Sequence, residues 1–252
     1  MDDDTLREAA GRIAFQLRGR KRLLFVTGAG LSAESGLPTY RGIGGLYVDA
    51  QTEHGVPIEQ ALSGPMFRRK PELTWHHIAR IERAVRGAEP SPAHQLIARL
   101  EREHEVVVLT QNVDGLHQRA GSSQVIDIHG DCHQLQCTRC DYNEQRNDYE
   151  GMALPPHCPA CDAIVRPNVV LFEEALPEAK LEQLNEQLSR GFDATFSIGT
   201  TSSFSYIAQP VLLAVRRGQL SIEINPDQTV VSELVGVKLA CGAGRGLHAI
   251  FG

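Results

Sequence analysis

The sequence predicts an α/β fold: a parallel sheet with helices on both faces, interrupted by a small cysteine-bearing module. Three observations carry this. Short apolar runs of strand length alternate with stretches whose apolar residues recur at helical spacing. The first run passes straight into a glycine turn, Gly28-Ala29-Gly30. Two Cys-x-x-Cys pairs, at 137–140 and 158–161, interrupt the alternation.

Residues 4–18 place Leu6, Ala10, Ile13 and Leu17 on one face, as in an amphipathic packing helix. Residues 23–27 read as a buried parallel strand, four apolar residues closed by a threonine. Gly28 and Gly30 permit a tight turn and let the backbone come close to a ligand. Ser32 and the residues after it can open a helix whose free N–H groups suit a pyrophosphate. Gly28, Gly30 and Ala33 match the loose dinucleotide fingerprint, and the stretch from Pro38 to Arg41 stops the helix early. Residues 42–70 carry glycines without a clear period, as expected of a loop that closes over a ligand. A helix is expected from Pro71, with Trp75, Ile78, Ile81 and Val85 on one face. Gly87 and Pro90 end it, and Ser91-Pro92 start another that carries Leu96, Ile97 and Leu100.

Further strands are expected at 105–110, 124–128, 193–198, 220–224 and 237–240, with helices at 177–190 and near 205–217. In such sheets ligands bind beyond the carboxyl ends of the strands. Gly28, Gln111 to Asp114, His129, Gly199 to Thr201 and Asn225 all follow strand ends, so five strands converge on one site. His129 ends a buried strand and titrates in the range of a general base. Asn112 and Asp114 can hydrogen-bond a carboxamide, although Asp114-Gly115 also fits a plain turn. Hydride transfer is less well served, since no acidic residue ends a second strand where a ribose would need it.

Cys137 and Cys140 are separated from Cys158 and Cys161 by 17 residues, within the zinc-ribbon range. Four thiolates fill a tetrahedral zinc and leave no position for water, so the metal is expected to be structural. A redox dithiol is the rival reading. Cys132 and Cys241 are left over as buried thiols, and His133 and His157 as surface residues. The net charge of −6, with no offsetting basic stripe, argues against nucleic acid as a partner. No apolar run approaches a membrane span, and the acidic start Met1-Asp2-Asp3-Asp4 is unlike a signal peptide. A cytoplasmic protein is expected.

These segments together resemble the sirtuin family. They are G-A-G-L-S-A-E-S-G-L-P-T-Y-R-G at 28–42, T-Q-N-V-D-G-L-H at 110–117, I-H-G at 128–130, both cysteine pairs, R-P-N-V-V-L-F at 166–172, G-T-T at 199–201 and I-N-P at 224–226. The order is the family's, over nearly the whole chain. The resemblance implies a Rossmann-like NAD-binding domain at 1–38, 93–131 and 166–252. It also implies a small domain built from a cofactor loop and helical insertion at 39–92 and a zinc-binding module at 132–165. The implied activity is NAD-dependent removal of acyl groups from protein lysine side chains. Its products would be free lysine, nicotinamide and O-acyl-ADP-ribose.

Carried across, Gly28, Ala29, Gly30, Glu34 and Arg41 line the cofactor site and Tyr40 shields the reactive sugar. Gln111, Asn112 and Asp114 hold the nicotinamide ribose and carboxamide. Gly199, Thr200 and Thr201 meet phosphate or ribose, Asn225 the adenosine ribose, and Cys241 the adenine side. His129 is the general base, with Asn112 as the second catalytic residue. Three departures stand out. The family's Phe-Gly-Glu loop reads Phe172-Glu173-Glu174, and its Val-x-Pro loop reads Phe204-Ser205-Tyr206. Ile78 and Ile81 occupy the positions of a Tyr-x-x-Arg pair that marks removal of succinyl or malonyl groups, so neutral acyl groups are expected. A protein ADP-ribosyltransferase, a non-catalytic NAD or ADP-ribose sensor and an oxidoreductase are the alternatives.

Overall fold

A computed structural model describes residues 1–38, 52 and 55–252. Arg22–Thr27 (β1) is central because both of its faces are apolar: Leu23 and Phe25 point into one core, Leu24 and Val26 into another. Glu105–Thr110 (β2) alternates in the same way and pairs in parallel with β1, Leu23 opposite Val106 and Thr27 opposite Thr110. Val125–Asp127 (β3) extends this side. Three strands form the small second sheet: Gly130–Cys137 (β4), Asn143–Gln145 (β5) and Val165–Val169 (β6). Ala194–Ile198 (β7), Leu220–Ile224 (β8) and Val237–Leu239 (β9) then complete the large one. Its order is β3-β2-β1-β7-β8-β9, all parallel. The order reverses between β1 and β7, the crevice where such sheets bind ligands.

Helices Asp3–Gln16, Pro92–Arg99 and Ala243–Phe251 cover the Leu23 and Phe25 face. Glu178–Arg190 and Ser205–Arg216 cover the other. The strands of the large sheet and its long helices other than Ala243–Phe251 therefore stand where the sequence places them. Phe25 stacks on Phe196 across the β1–β7 pair, ring centroids 4.7 Å apart.

Four features differ from the sequence reading or extend it. The helix after the glycine turn begins at Ala29, not Ser32, because Gly28 is already its extended N-cap. It tightens into a 3₁₀ turn at Ala33–Ser35 and stops at Gly36, whose φ of +79° is left-handed. The stretch read as an aperiodic loop holds two short helices, Ile58–Ala61 and Gly64–Arg69, the second capped by the Ser63 hydroxyl. The earlier part of that stretch, with Tyr40 and Arg41, lies outside the described residues. The helix Ala243–Phe251 is additional to the sequence expectation, because its glycines, Gly244 and Gly246, obscure the helical period.

The helical insertion and the small sheet share one core. Ile58, Leu62, Phe67, Trp75 and Ile78 pack with Leu135, Tyr149, Val165 and Leu171. The Trp75 indole donates to the Val165 carbonyl at 3.0 Å, tying the insertion to β6. Among the described residues no helix is long and apolar enough to cross a membrane.

Candidate active site

Two glycine loops meet at the β1–β7 crevice. The Gly28 N–H donates to the Ile198 carbonyl at 3.1 Å, and the Gly30 N–H to the Gly199 carbonyl at 2.8 Å. A Cβ on Gly28 would lie 2.8 Å from the Gly199 oxygen, and one on Gly30 only 2.7 Å from the Gly199 Cα. Glycine is therefore required there by the opposing loop, a reason beyond turn geometry and approach to a ligand. Ala29 opens the short helix directly at this junction.

Polar groups from β2, β7 and β8 lock around the junction. The Gln111 amide donates to the Thr200 hydroxyl at 2.6 Å, and the Asn225 amide to the Thr200 carbonyl at 3.1 Å. Asn112 donates to the Gly28 carbonyl at 3.1 Å and to the Ser32 hydroxyl at 2.9 Å. Ser32 in turn donates to Asp114 at 2.7 Å, and the other Asp114 oxygen accepts the Leu116 N–H at 3.0 Å. Burial raises the Asp114 pKa against these hydrogen bonds. Ser32 links Asn112 to Asp114, and nothing in the local sequence distinguishes it from Ser35. Only a pairing with residues about 80 positions away, which single-chain spacing cannot show, sets it apart.

The other expected residues are less tightly joined. Thr201 is exposed and accepts from the Ser203 hydroxyl at 2.9 Å. Glu34 accepts the Gly244 N–H at 2.6 Å, at the start of the last helix. Cys241 is buried beside that helix, and burial raises its pKa.

His129 is held at the end of β3 by Gly130. There the chain turns into β4 with a φ of +83°, and a Cβ would strike the Asn168 carbonyl. The His129 Nδ1 lies 3.1 Å from the Gln111 carbonyl and its Nε2 2.7 Å from the Tyr206 hydroxyl. Burial lowers its pKa, with the Gln111 contact opposing, so the ring is neutral at neutral pH and able to take a proton. The donors and acceptors at this edge are amides, hydroxyls, backbone N–H groups, the Asp114 and Glu34 carboxyl groups and one neutral imidazole. They suit a ribose- and phosphate-bearing ligand.

The four cysteines come together away from that edge, on the small sheet. The Sγ atoms of Cys137, Cys140, Cys158 and Cys161 all lie within 4.8 Å of one another. The Cys137–Cys161 and Cys140–Cys158 separations are 3.5 and 3.6 Å, too long for disulfides. They are close to the edge of about 3.8 Å that Zn–S bonds of about 2.3 Å give a tetrahedron. The set fits a closed structural zinc site.

A model of the Sir2 family matches residues 28–205. The chain belongs to the Sir2 family. It is similar to "NAD-dependent protein deacylase 2" of Pseudomonas syringae pv. tomato, 53% identical over 91% of this chain and 94% of the relative. It also resembles the solved structure of a Sir2 homologue mutant in complex with 2'-O-acetyl-ADP-ribose. That pair shows a TM-score of 0.83 and 33% identity, over 99% of this chain and 95% of the other. A Sir2 structure with a p53 peptide and NAD+ gives a TM-score of 0.80 at 27% identity, over 95% of both chains.

Within the sirtuin fold the departures take a definite shape. Glu173 is exposed and sits at φ +64°, a left-handed backbone that suits the family's glycine better. Glu174 is held by Arg166 at 2.7 and 2.9 Å and by the Leu171 N–H. Phe172 exchanges backbone hydrogen bonds with Leu62 and Gly64, so this loop is pinned to the helical insertion. Ile78 is buried and Ile81 packs against the same small-domain core. His157 is exposed as expected. His133 is not a surface residue: it is partly buried against Asp131, at 3.0 Å, which raises its pKa.

Proposed function

We infer that the chain is an NAD-dependent protein deacylase that removes neutral acyl groups from lysine side chains. The observation that carries the reading is the neutral His129 at the strand edge, beside the linked Asn112, Ser32 and Asp114. The family membership and the relatives' names support it. Bound at the β1–β7 crevice, NAD supplies an electrophilic ribose carbon, a nicotinamide leaving group and a ribose hydroxyl that takes over the acyl group. Gly28, Ala29, Gly30, Glu34, Arg41, Gly199, Thr200, Thr201, Asn225 and Cys241 are assigned to hold the cofactor, with Tyr40 over its sugar. Gln111, Asn112 and Asp114 orient the nicotinamide end.

The residues do three things in this reading. Asn112 and Asp114, fixed by Ser32, hold the carboxamide. His129 keeps its proton on Nδ1 and receives one at Nε2. Zinc at the four cysteines fixes the small sheet and thereby β6 and the Phe172 loop. The division into 1–38, 93–131 and 166–252 against 39–92 and 132–165 belongs to the same proposal, as does a cytoplasmic location. Apolar Ile78 and Ile81 offer no partner to an acyl carboxylate, which favours acetyl and longer neutral chains.

The test is NAD-dependent nicotinamide release with acetyl-, succinyl- and myristoyl-lysine peptides, wild type beside His129→Ala. Release that needs a neutral acyl peptide and is lost in the variant supports the reading. Equal rates on succinyl and acetyl peptides would remove the acyl assignment. The altered loops at Glu173 and Phe204 favour one second reading, an NAD or ADP-ribose sensor, which tight NAD binding without turnover would establish.

A further inference from the structure

We propose that the Tyr206 hydroxyl carries the proton between His129 and the substrate, making Tyr206 a further catalytic residue of this chain. The inference rests on the deacylase reading and goes beyond it, because Tyr206 stands where the sirtuin resemblance expects a proline. Both nitrogens of His129 are engaged within the protein. Nδ1 meets the Gln111 carbonyl at 3.1 Å, and a carbonyl only accepts, so Nδ1 bears the proton. The lone pair on Nε2 must then accept from the Tyr206 hydroxyl, 2.7 Å away. The chain runs one way: Tyr206 O–H to Nε2, and Nδ1–H to the Gln111 oxygen.

The phenol is fixed from two sides. Its ring stacks on Phe204, centroids 5.4 Å apart and planes 17° apart, and both rings stand edge-on to His129 at 5.9 Å. Behind it, Ile207 and Ala208 anchor the helix Ser205–Arg216 in the core. Burial pushes the Tyr206 hydroxyl up to about 12, so it stays a phenol at neutral pH. As donor to Nε2, the phenol oxygen keeps its own lone pairs, and Tyr206 is only partly buried. A substrate hydroxyl can donate to that oxygen with nothing displaced. Reaching Nε2 directly would require breaking the 2.7 Å hydrogen bond and moving a stacked ring.

The step balances. Tyr206 Oη accepts the proton of the substrate hydroxyl as that oxygen bonds to the acyl carbon, and passes its own proton to Nε2. His129 becomes an imidazolium, with Nδ1–H still on Gln111, and Tyr206 is again a phenol. When the bond to the lysine nitrogen breaks, the proton returns by the same path to the departing amine.

Tyr206→Phe keeps the ring and removes the relay. In the protein without NAD, an NMR titration of the ¹⁵N-labelled His129 ring should show its pKa rising by about 0.5–1 unit, because the neutral ring loses a hydrogen bond. With saturating NAD and acetyl-lysine peptide, kcat should fall about 100-fold or more, with the peptide KM, NAD affinity and Tm unchanged. Wild-type rates in mixtures of H₂O and D₂O should give a curved proton inventory, two protons moving together. That measurement needs no variant. A kcat for Tyr206→Phe at or above wild type, or a linear inventory, would overturn the relay and leave the phenol as a cap that substrate displaces. An active wild type with a dead His129→Ala and a fully active Tyr206→Phe sinks only the relay; an inactive wild type sinks the deacylase reading with it.

Discussion

Gly199, at the end of β7, lies so close to Gly30 that a Cβ on it would stand 2.5 Å from the Gly30 carbonyl carbon. Its φ of +57° independently disfavours any side chain. The two loops that frame the crevice are therefore one mechanical unit, joined by the Gly30 N–H to Gly199 carbonyl bond. Gly199→Ala should separate them. We expect a stability loss of about 2 kcal/mol or more, from strain and backbone displacement together, and a NAD affinity that falls with it. Urea denaturation and calorimetric NAD titration of the variant check both. Unchanged affinity would show that the loops bind independently.

Much of this was legible in the sequence, and the reason is physical. Parallel strands buried on both faces read as unbroken apolar runs, so β1 and β2 declare themselves, while β7 and β8 alternate apolar with polar residues and read as strands by period. The cysteine pairs declare their own partners by spacing. The small sheet was less legible because its strands are largely half-exposed or exposed and carry no apolar run; Asn143–Gln145 has no buried residue at all. Contacts made across the chain were not legible. Nothing near Ser32 in sequence announces Asn112 and Asp114, and nothing near His129 announces Tyr206. Those depend on the β1–β7 reversal and on where the helix Ser205–Arg216 begins.

Loss of the metal should act on stability first. Four thiols at 3.5–3.6 Å contacts have no reason to stay together without a cation. Cys158, the most buried of them, also packs in the core shared with Trp75 and Tyr149. Cys158→Ser is expected to abolish one equivalent of bound zinc. It should cost about 3 kcal/mol or more, which lowers Tm by roughly 6–12 °C in a chain this size. Elemental analysis and calorimetry provide the check. A zinc-free variant with wild-type Tm would make the cluster dispensable.

Glu173→Gly should stabilise the protein. A left-handed backbone costs an L-residue about 1–2 kcal/mol, while glycine loses about 0.5–1 kcal/mol through its freer unfolded chain. The net gain is about 0.5–1 kcal/mol, or a Tm rise of roughly 1–4 °C. Because Glu173 is exposed and Glu174 holds the loop through Arg166, the substitution leaves the loop's anchor in place. A lower Tm would mean that the Glu173 carboxylate contributes a stabilising interaction that outweighs the backbone strain.

Acid should weaken the fold through two buried histidines behind the β1 loop. His94 and His117 stack edge to face at 4.8 Å, and His117 Nε2 meets the Thr27 hydroxyl at 3.0 Å. Their other ring nitrogens, His94 Nε2 and His117 Nδ1, have no hydrogen-bond partner among the described residues. Burial lowers His94 to about 4, and burial together with the His94 charge lowers His117 to about 3. In the unfolded chain both titrate near 6.5. Between those values the unfolded state binds protons that the folded state does not, so stability is fully present above about 6.5 and declines as pH falls. Each imidazole contributes a slope of about 1.4 kcal/mol per pH unit, the pair about 2.7. His104 and His129, also lowered by burial, add the same sign. His133, raised by its bond to Asp131, opposes them, as does Asp114, raised by burial. Urea midpoints measured from pH 7.5 to 5.0 should therefore fall steeply below 6.5, and His117→Asn should remove about half of the pair's slope. A midpoint flat across that range would mean that the two rings take up protons while folded, and that the site behind Thr27 is wetter than its burial indicates.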